Sequence, residues 1–255
     1  MTVSIVSDLH CHGDKLPKAF DVSSLTPADV LVVAGDIATF DTKKKYIAKL
    51  HEAVGDRFKN VIIINGNHDY YTTRFLMNED EFPGPSVDHN FVTSVEEKVE
   101  DSKRIVDFIC TPLWSPIKND RTISFSLNDY NYIPGFTTQK CTKLFFENLE
   151  WLEGKVTGSR GEGHDVVIVT HHLPRHELID PMFKGDGINE AFCVINEYAE
   201  NRLAALRPTL WIHGHSHNFL DMTIDETRYI RNPIGYEYSF RIENTGYKND
   251  FIVNI

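Results

Sequence analysis

The sequence predicts a single α/β domain built around a largely central β-sheet. Short β-branched apolar runs alternate along the chain with helical stretches. No internal repeat, low-complexity tract or Gly/Ser linker divides it, and its 255 residues lie in the range that one hydrophobic core can organise.

The strands carry the clearest signal. Segments 2–6, 30–34, 61–64, 166–169 and 209–212 are apolar runs with few polar interruptions, the pattern of strands buried on both faces. Helices are expected over Lys43–Val54, over 142–152 and over about 189–206. In the second, Leu144, Phe145, Leu149 and Leu152 share a face, and Gly154 is the expected stop. In the third, Phe192, Ile195, Ala199 and Leu203 recur at helical spacing ahead of Pro208. Segments 221–224 and 227–231 read as a hairpin and 251–255 as a final strand, pairing late into the same sheet or forming a second one. Residues 78–90 are rich in turn formers and read as a loop. The stretch 111–140 carries Trp114, Phe125, Tyr130, Tyr132 and Phe136 among polar residues with little periodicity. It reads either as a lid or specificity insertion, or as an irregular excursion whose aromatics pack back on the core.

Composition narrows the function classes. With 41% hydrophobic and 25% charged residues the chain has the makeup of a globular protein and not of a disordered one. Its net charge of -11 argues against non-specific binding to nucleic acid or to an anionic membrane, both of which need clustered Lys and Arg. An acidic protein can still take an anionic substrate where bound metal supplies positive charge. No apolar run approaches the ~20 residues of a bilayer-spanning helix. The first residues carry no basic leader, so a cytoplasmic address is expected. Cys11, Cys110, Cys141 and Cys193 are widely spaced without a CxxC, which reads as reduced thiols and not a disulfide framework.

The chemistry is concentrated just past the end of each core strand. The first strand runs into Ser7-Asp8-Leu9-His10, the second into Gly35-Asp36 and the third into Gly66-Asn67-His68-Asp69. The fourth runs into Thr170-His171-His172, the fifth into His213-Gly214-His215-Ser216-His217. Open α/β sheets bind ligands beyond the carboxyl ends of their strands, so these residues are expected to converge on one cleft. Asp8 and His10 are two residues apart, as are His215 and His217, so in extended chain each pair points one way. Cys11 has the opposite parity and is left out. Carboxylate, imidazole and amide donors without thiolate suit Mn, Fe, Co, Ni or Zn. Two dications would outweigh two carboxylates by about two charges, and a pair roughly 3.5–4 Å apart can activate a bridging hydroxide for in-line attack on phosphorus.

The motifs Asp8-Leu9-His10, Gly35-Asp36, Gly66-Asn67-His68-Asp69, His171 and Gly214-His215-Ser216-His217 resemble, in order and strand context, those of the calcineurin-like metallophosphoesterases. The resemblance runs from Ser7 to His217 and implies a four-layer α/β/β/α sandwich of two mixed β-sheets flanked by helices. It implies two divalent or trivalent metal ions. Asp8, His10 and His217 would hold the first, Asp36 would bridge, and Asn67, His171 and His215 would complete the second. His68 would face the substrate, and Asp69 would orient its ring. His172 and His213 are read as pocket or packing residues, His12 as a surface histidine in the turn after His10, and Tyr70 and Tyr71 as packing.

Departures from the protein-phosphatase branch point to small substrates. Ile37-Ala38-Thr39-Phe40 comes after Gly35-Asp36, and Asn65 precedes Gly66, where that branch places arginines; Asp69 stands for its Glu. The stretches 113–115, 127–130 and 232–236 resemble a branch of the small bacterial-type phosphoesterases. The expected activity is hydrolysis of a phosphodiester or small nucleotide by a metal-bridging hydroxide. The alternatives are a phosphomonoesterase or protein phosphatase of the same fold, and a non-catalytic metal-binding scaffold. All seven ligand positions are filled, which weighs against the scaffold.

Overall fold

Alternation of side chains along each strand divides the apolar residues between two faces, and two sheets rather than one result. A computed structural model describes residues 1–74, 82, 84–238 and 241–255. The first half holds β1 (Thr2–Val6), β2 (Ala28–Ala34), α1 (Lys43–Val54), β3 (Phe58–Ile64), β4 (Phe91–Val99) and β5 (Ser102–Cys110). Then come α2 (Asp120–Ser126), α3 (Asp129–Tyr132), α4 (Thr138–Gly161), β6 (Asp165–Val169), α5 (Glu197–Ala205) and β7 (Leu210–Ile212). The last part holds β8 (Leu220–Ile224), β9 (Thr227–Arg231), the short ribbon β10 (Glu237–Tyr238) and β11 (Arg241–Ile242), and β12 (Ile252–Asn254).

The four-stranded sheet has the order β12-β1-β2-β3, and the six-stranded sheet the order β4-β5-β6-β7-β9-β8. Strands β1, β2 and β3 are parallel, as are β5, β6, β7 and β9; β12, β4 and β8 add antiparallel edges. Val3, Ile5, Val30, Val32, Ala34, Ile62 and Ile64 of one sheet pack against Phe108, Val167, Val169, Leu210 and Ile212 of the other. The opposite parity faces outward. Val6, Leu31 and Val33 meet Tyr46, Leu50 and Val54 of α1. Ile109, Val166, Ile168 and Trp211 meet α4 and α5. These layers are the implied α/β/β/α sandwich.

The late strands divide between the sheets. β12 pairs antiparallel with β1 in the smaller sheet, and the β8–β9 hairpin joins the larger. The β4–β5 hairpin has no clear mark in the sequence, because β4 is an edge strand whose Glu96, Glu97 and Lys98 hide the alternation.

Three helix boundaries differ from expectation. α4 begins at Thr138 and not at 142, because the Thr137 side chain caps it by accepting the Lys140 N–H. α4 runs through Gly154 to Gly161, because Phe145, Leu149, Leu152, Val156 and Ser159 continue one buried stripe and Gly154 faces open space. α5 begins only at Glu197, where the Asn196 side chain accepts from the Ala199 N–H. Residues 189–191 form a 3₁₀ turn instead. Of the loop expected over 78–90, residues 78–81 and 83 lie outside the described residues, and Val87–His89 turn through a 3₁₀ segment. The 111–140 stretch contains α2 and α3, with Trp114 and Phe136 buried and Phe125 exposed. Among the described residues no helix is long and apolar enough to cross a membrane. All four cysteines are free and buried.

Phe108 lies fully buried between the sheets, so Phe108→Ala should cost about 3–5 kcal/mol of stability in denaturant unfolding. Phe125→Ala, at a side chain 89% exposed, should stay within ~0.5 kcal/mol of the parent.

Candidate metal centre

The parallel strands β1, β2, β3, β6 and β7 all deliver their carboxyl ends to one edge of the sandwich, where the two sheets close on each other. The approach is too tight for side chains at certain positions. A Cβ on Gly35 would meet His171 Nδ1 at 2.4 Å, one on Gly66 would meet Asp36 Oδ1 at 2.1 Å, and one on Gly214 would meet the Ala34 carbonyl at 2.7 Å. Past the strands, Asp8 N–H donates to Gly35 O at 3.0 Å and His10 N–H to Asp36 O at 3.0 Å. The backbone there is not extended: Asp8, His10, Asp36 and His215 have φ of 54°, 43°, 55° and 70°. The parity expected for Asp8–His10 and His215–His217 therefore does not hold, and left-handed turns bring these side chains inward.

The nine residues singled out in the sequence fall around this edge. Ligand atoms of Asp8, His10 and His217 lie within 4.8 Å of one another, and so do those of Asp36, His171 and His215. Asp36 Oδ2 lies between the groups, 3.8 Å from His10 Nε2 and 3.4 Å from His171 Nε2. Asn67 Oδ1 is 3.1 Å from His171 Nε2, which is 3.2 Å from His215 Nδ1. His10 Nε2 and His217 Nε2 face each other at 3.1 Å.

This donor set fits two metal ions. Imidazole nitrogens in pairs at 3.1–3.2 Å, backed by buried carboxylate oxygens, have few protons to share and many lone pairs to offer. His171 Nδ1 bonds the Ala34 carbonyl at 2.9 Å and His217 Nδ1 bonds Glu243 Oε2 at 2.8 Å, which turns each Nε2 toward the site. Burial alone would lower the pKa of His171, yet the Asp36 charge lifts it to about 9. Burial is likewise outweighed at His217, where Asp8 and Glu243 lift the pKa to about 10. Both shifts report concentrated negative charge, which cations would neutralise.

His68 and Asp69 part company. The His68 ring stacks on Tyr71 with centroids 4.2 Å apart, meets the His10 ring edge-on at 4.5 Å, and places Nε2 3.3 Å from Tyr236 Oη. The Asp69 carboxylate does not take the expected place beside that ring. It accepts the N–H groups of Gly66 at 2.8 Å, Asp36 at 2.9 Å and Ala38 at 3.5 Å, bracing two turns. His68 is aligned by its own N–H, which donates to Asp36 Oδ1 at 2.9 Å.

The neighbouring residues divide between packing and the cleft. His172 is buried, its ring 4.4 Å from that of His215 and 5.1 Å from Trp114, and burial holds its pKa at about 3. His213 is buried with Nδ1 3.3 Å from Gly214 O. His12 is exposed at the rim of an open cleft of about 280 Å³, which His10, Thr39, His68, Tyr236 and Glu237 also line. Cys11 lines it too, with a thiol that burial pushes up to about 12, so it offers no thiolate. Four residues support the site without a sequence signal for that role: Tyr71, Asp129, Tyr236 and Glu243. Asp129 and Tyr236 lie in stretches that carry the branch resemblance, 127–130 and 232–236, while nothing in the sequence marks Glu243.

A two-sheet sandwich with adjoining oxygen- and nitrogen-donor clusters at its strand ends defines the metallophosphoesterase class. The chain belongs to the calcineurin-like phosphoesterase family, whose model matches residues 1–219. No curated protein matches it in sequence. Among solved structures it resembles the phosphopantetheinyl hydrolase of Mycobacterium tuberculosis, with TM-score 0.61 and 17% identity over 92% of this chain and 89% of that one. It also resembles GAP50, the anchor in the inner membrane complex of Plasmodium, with TM-score 0.50 and 10% identity over 91% of this chain and 70% of that one. At these identities the likeness is one of fold.

Gly66→Ala drives a methyl into the Asp36 carboxylate, at the 2.1 Å contact above. Metal analysis after loading and desalting should show bound metal falling well below the parent's, whereas Gly154→Ala, in open space, should leave it unchanged.

Proposed function

We propose that the chain is a dinuclear metal-dependent phosphoesterase acting on a small phosphate ester, a phosphodiester or nucleotide in preference to a phosphoprotein. The observation that carries this reading is the position of Asp36, whose Oδ2 faces His10 on one side and His171 on the other. Asp8, His10 and His217 would hold the first ion, Asn67, His171 and His215 the second, and Asp36 would reach both. Mn, Fe, Zn, Co and Ni all suit these donors. Bound there, the ions would supply water activation and Lewis acidity toward the phosphoryl oxygens.

The chain's own groups do the rest. His68 stands between the Asp36 carboxylate and the cleft, with Tyr236 Oη at its Nε2, a place from which it can bond the phosphoryl group or pass a proton to the leaving oxygen. Asp69 holds Gly66 and Asp36 in register and so fixes the spacing between the clusters. Among the described residues no Arg or Lys lines the cleft, so the grip on a phosphate would fall to the histidines and to the bound ions. That favours a compact ester over a phosphoprotein gripped by arginines.

The first test is hydrolysis of bis(p-nitrophenyl) phosphate and p-nitrophenyl phosphate by metal-stripped protein refilled with Mn²⁺. Metal-dependent cleavage favouring the diester is expected, and a screen of nucleotides and phosphopantetheine esters would come next. Preference for the monoester would move the assignment to phosphatases, and no cleavage of either ester would remove the enzymatic reading. His68→Ala should lower turnover by about 10²–10⁴-fold while metal analysis still finds two ions per chain; loss of both ions would place His68 among the ligands instead.

A further inference from the structure

We propose that Asp129 is a positioning residue for the second metal: its carboxylate holds the Asn67 amide with the nitrogen turned away and the oxygen turned toward Asp36, His171 and His215. The proposal rests on the dinuclear reading above, and it assigns a role to the 111–140 stretch.

An asparagine ligand has a problem that aspartate does not. Only its oxygen can bind a cation, and the amide is nearly symmetric in shape, so something must choose the orientation. Here Asn67 Nδ2 donates to Asp129 Oδ1 at 2.7 Å and to Tyr71 Oη at 3.2 Å, while Oδ1 lies 3.1 Å from His171 Nε2. The Tyr71 hydroxyl donates to the same Asp129 oxygen, closing a three-membered ring of hydrogen bonds. A carboxylate only accepts. Turning the amide over would set its carbonyl oxygen against Asp129 and its NH₂ against the imidazoles and the ion. Both ends would then be mismatched, in a place where Asp129 is 3% and Asn67 3% exposed and water cannot compensate.

The anchoring is structural as well as polar. Asp129 is the first residue of α3, and the last, Tyr132, accepts the Thr72 N–H at 3.0 Å, tying α3 to the chain just after the Asn67 turn. Tyr71 stacks on His68, so one residue touches both the metal-ligand support and the proposed substrate-facing histidine.

The test reads metal binding, not turnover. Titration of the stripped full chain with Mn²⁺, monitored by calorimetry and by spin-coupled electron paramagnetic resonance, separates the two sites. Asp129→Ala should weaken the second ion by about 10–100-fold and leave the first within about 3-fold. Asn67→Asp alone sets two carboxylates against each other and should weaken the second ion comparably. The exchange N67D/D129N restores an amide–carboxylate hydrogen bond with reversed polarity and leaves an oxygen toward the cluster, so the second ion should return to within about 3-fold of the parent. Parent-like binding of both ions by Asp129→Ala would overturn the proposal. So would an exchange variant no better than Asn67→Asp alone. If Asp129→Ala does not fold, the two near-isosteric variants decide between these outcomes. A parent chain that binds two ions but cleaves no phosphate ester would sink the proposed function and leave this inference to be judged on binding; a parent that takes up one ion sinks the inference itself.

Discussion

The hydrogen bond from His171 Nδ1 to the carbonyl of Ala34, 2.9 Å long, joins the carboxyl end of one sheet to the carboxyl end of the other. The rest of the site depends on that closeness. β2 and β6 belong to different sheets, separated elsewhere by a layer of apolar side chains. Only where Gly35, Gly66 and Gly214 remove the Cβ atoms can the two edges come near enough for one carboxylate, Asp36, to reach ligands from both. The glycines and Asp36 are thus parts of one device.

Such closeness is held against strain. Four of the candidate ligand positions, Asp8, His10, Asp36 and His215, have left-handed φ without being glycine. Each such residue costs on the order of 1–3 kcal/mol and persists only where the surroundings over-determine it. They do so here. Asp69 spends its carboxylate on the N–H groups of Asp36, Gly66 and Ala38, and the segment after β9 runs beside the end of β1, with Ile234 N–H on Ser7 O and Gly235 N–H on Asp8 O. That segment leaves the larger sheet to clamp the smaller, and it delivers Tyr236 over His10 with ring centroids 4.2 Å apart.

The layers and the convergence of the candidate site residues are largely legible in the sequence, for a physical reason. Strands buried on both faces need uninterrupted apolar runs, and polar residues such as His171 and Asp36 directly after such runs stand out against them. The illegible parts lie where the signal is non-local or masked. The edge strand β4 carries charges that blur its alternation. The length of α4 depends on Leu152 and Val156 finding a core beyond Gly154, which no local propensity encodes. Adjacency in sequence pairs Asp69 with His68, yet a carboxylate there finds three backbone donors, Gly66 in its own turn and Asp36 and Ala38 in the turn after β2. Glu243 reaches His217 from 26 residues away with no motif around it.

Charge placement completes the picture. The chain carries net charge -11, and some of that negative charge is buried with intent: Asp8, Asp36, Asp69 and Asp129 all lie inside. An isolated buried carboxylate is expensive, so each must have a partner. Asp69 has backbone N–H groups, and Asp129 has an amide and a phenol. Asp8 and Asp36 have Ser7, single backbone N–H groups and imidazoles, and despite burial the carboxylates lift the pKa of His217 beside Asp8 to about 10 and that of His171 beside Asp36 to about 9. The partners divide the carboxylates: Asp69 and Asp129 face neutral donors, and burial raises their pKa, whereas Asp8 and Asp36 face imidazoles, which hold their pKa down despite burial. That division, made by the folded chain without reference to any family, is the physical reason the proposed cations belong beside Asp8 and Asp36, where lone pairs and negative charge are gathered.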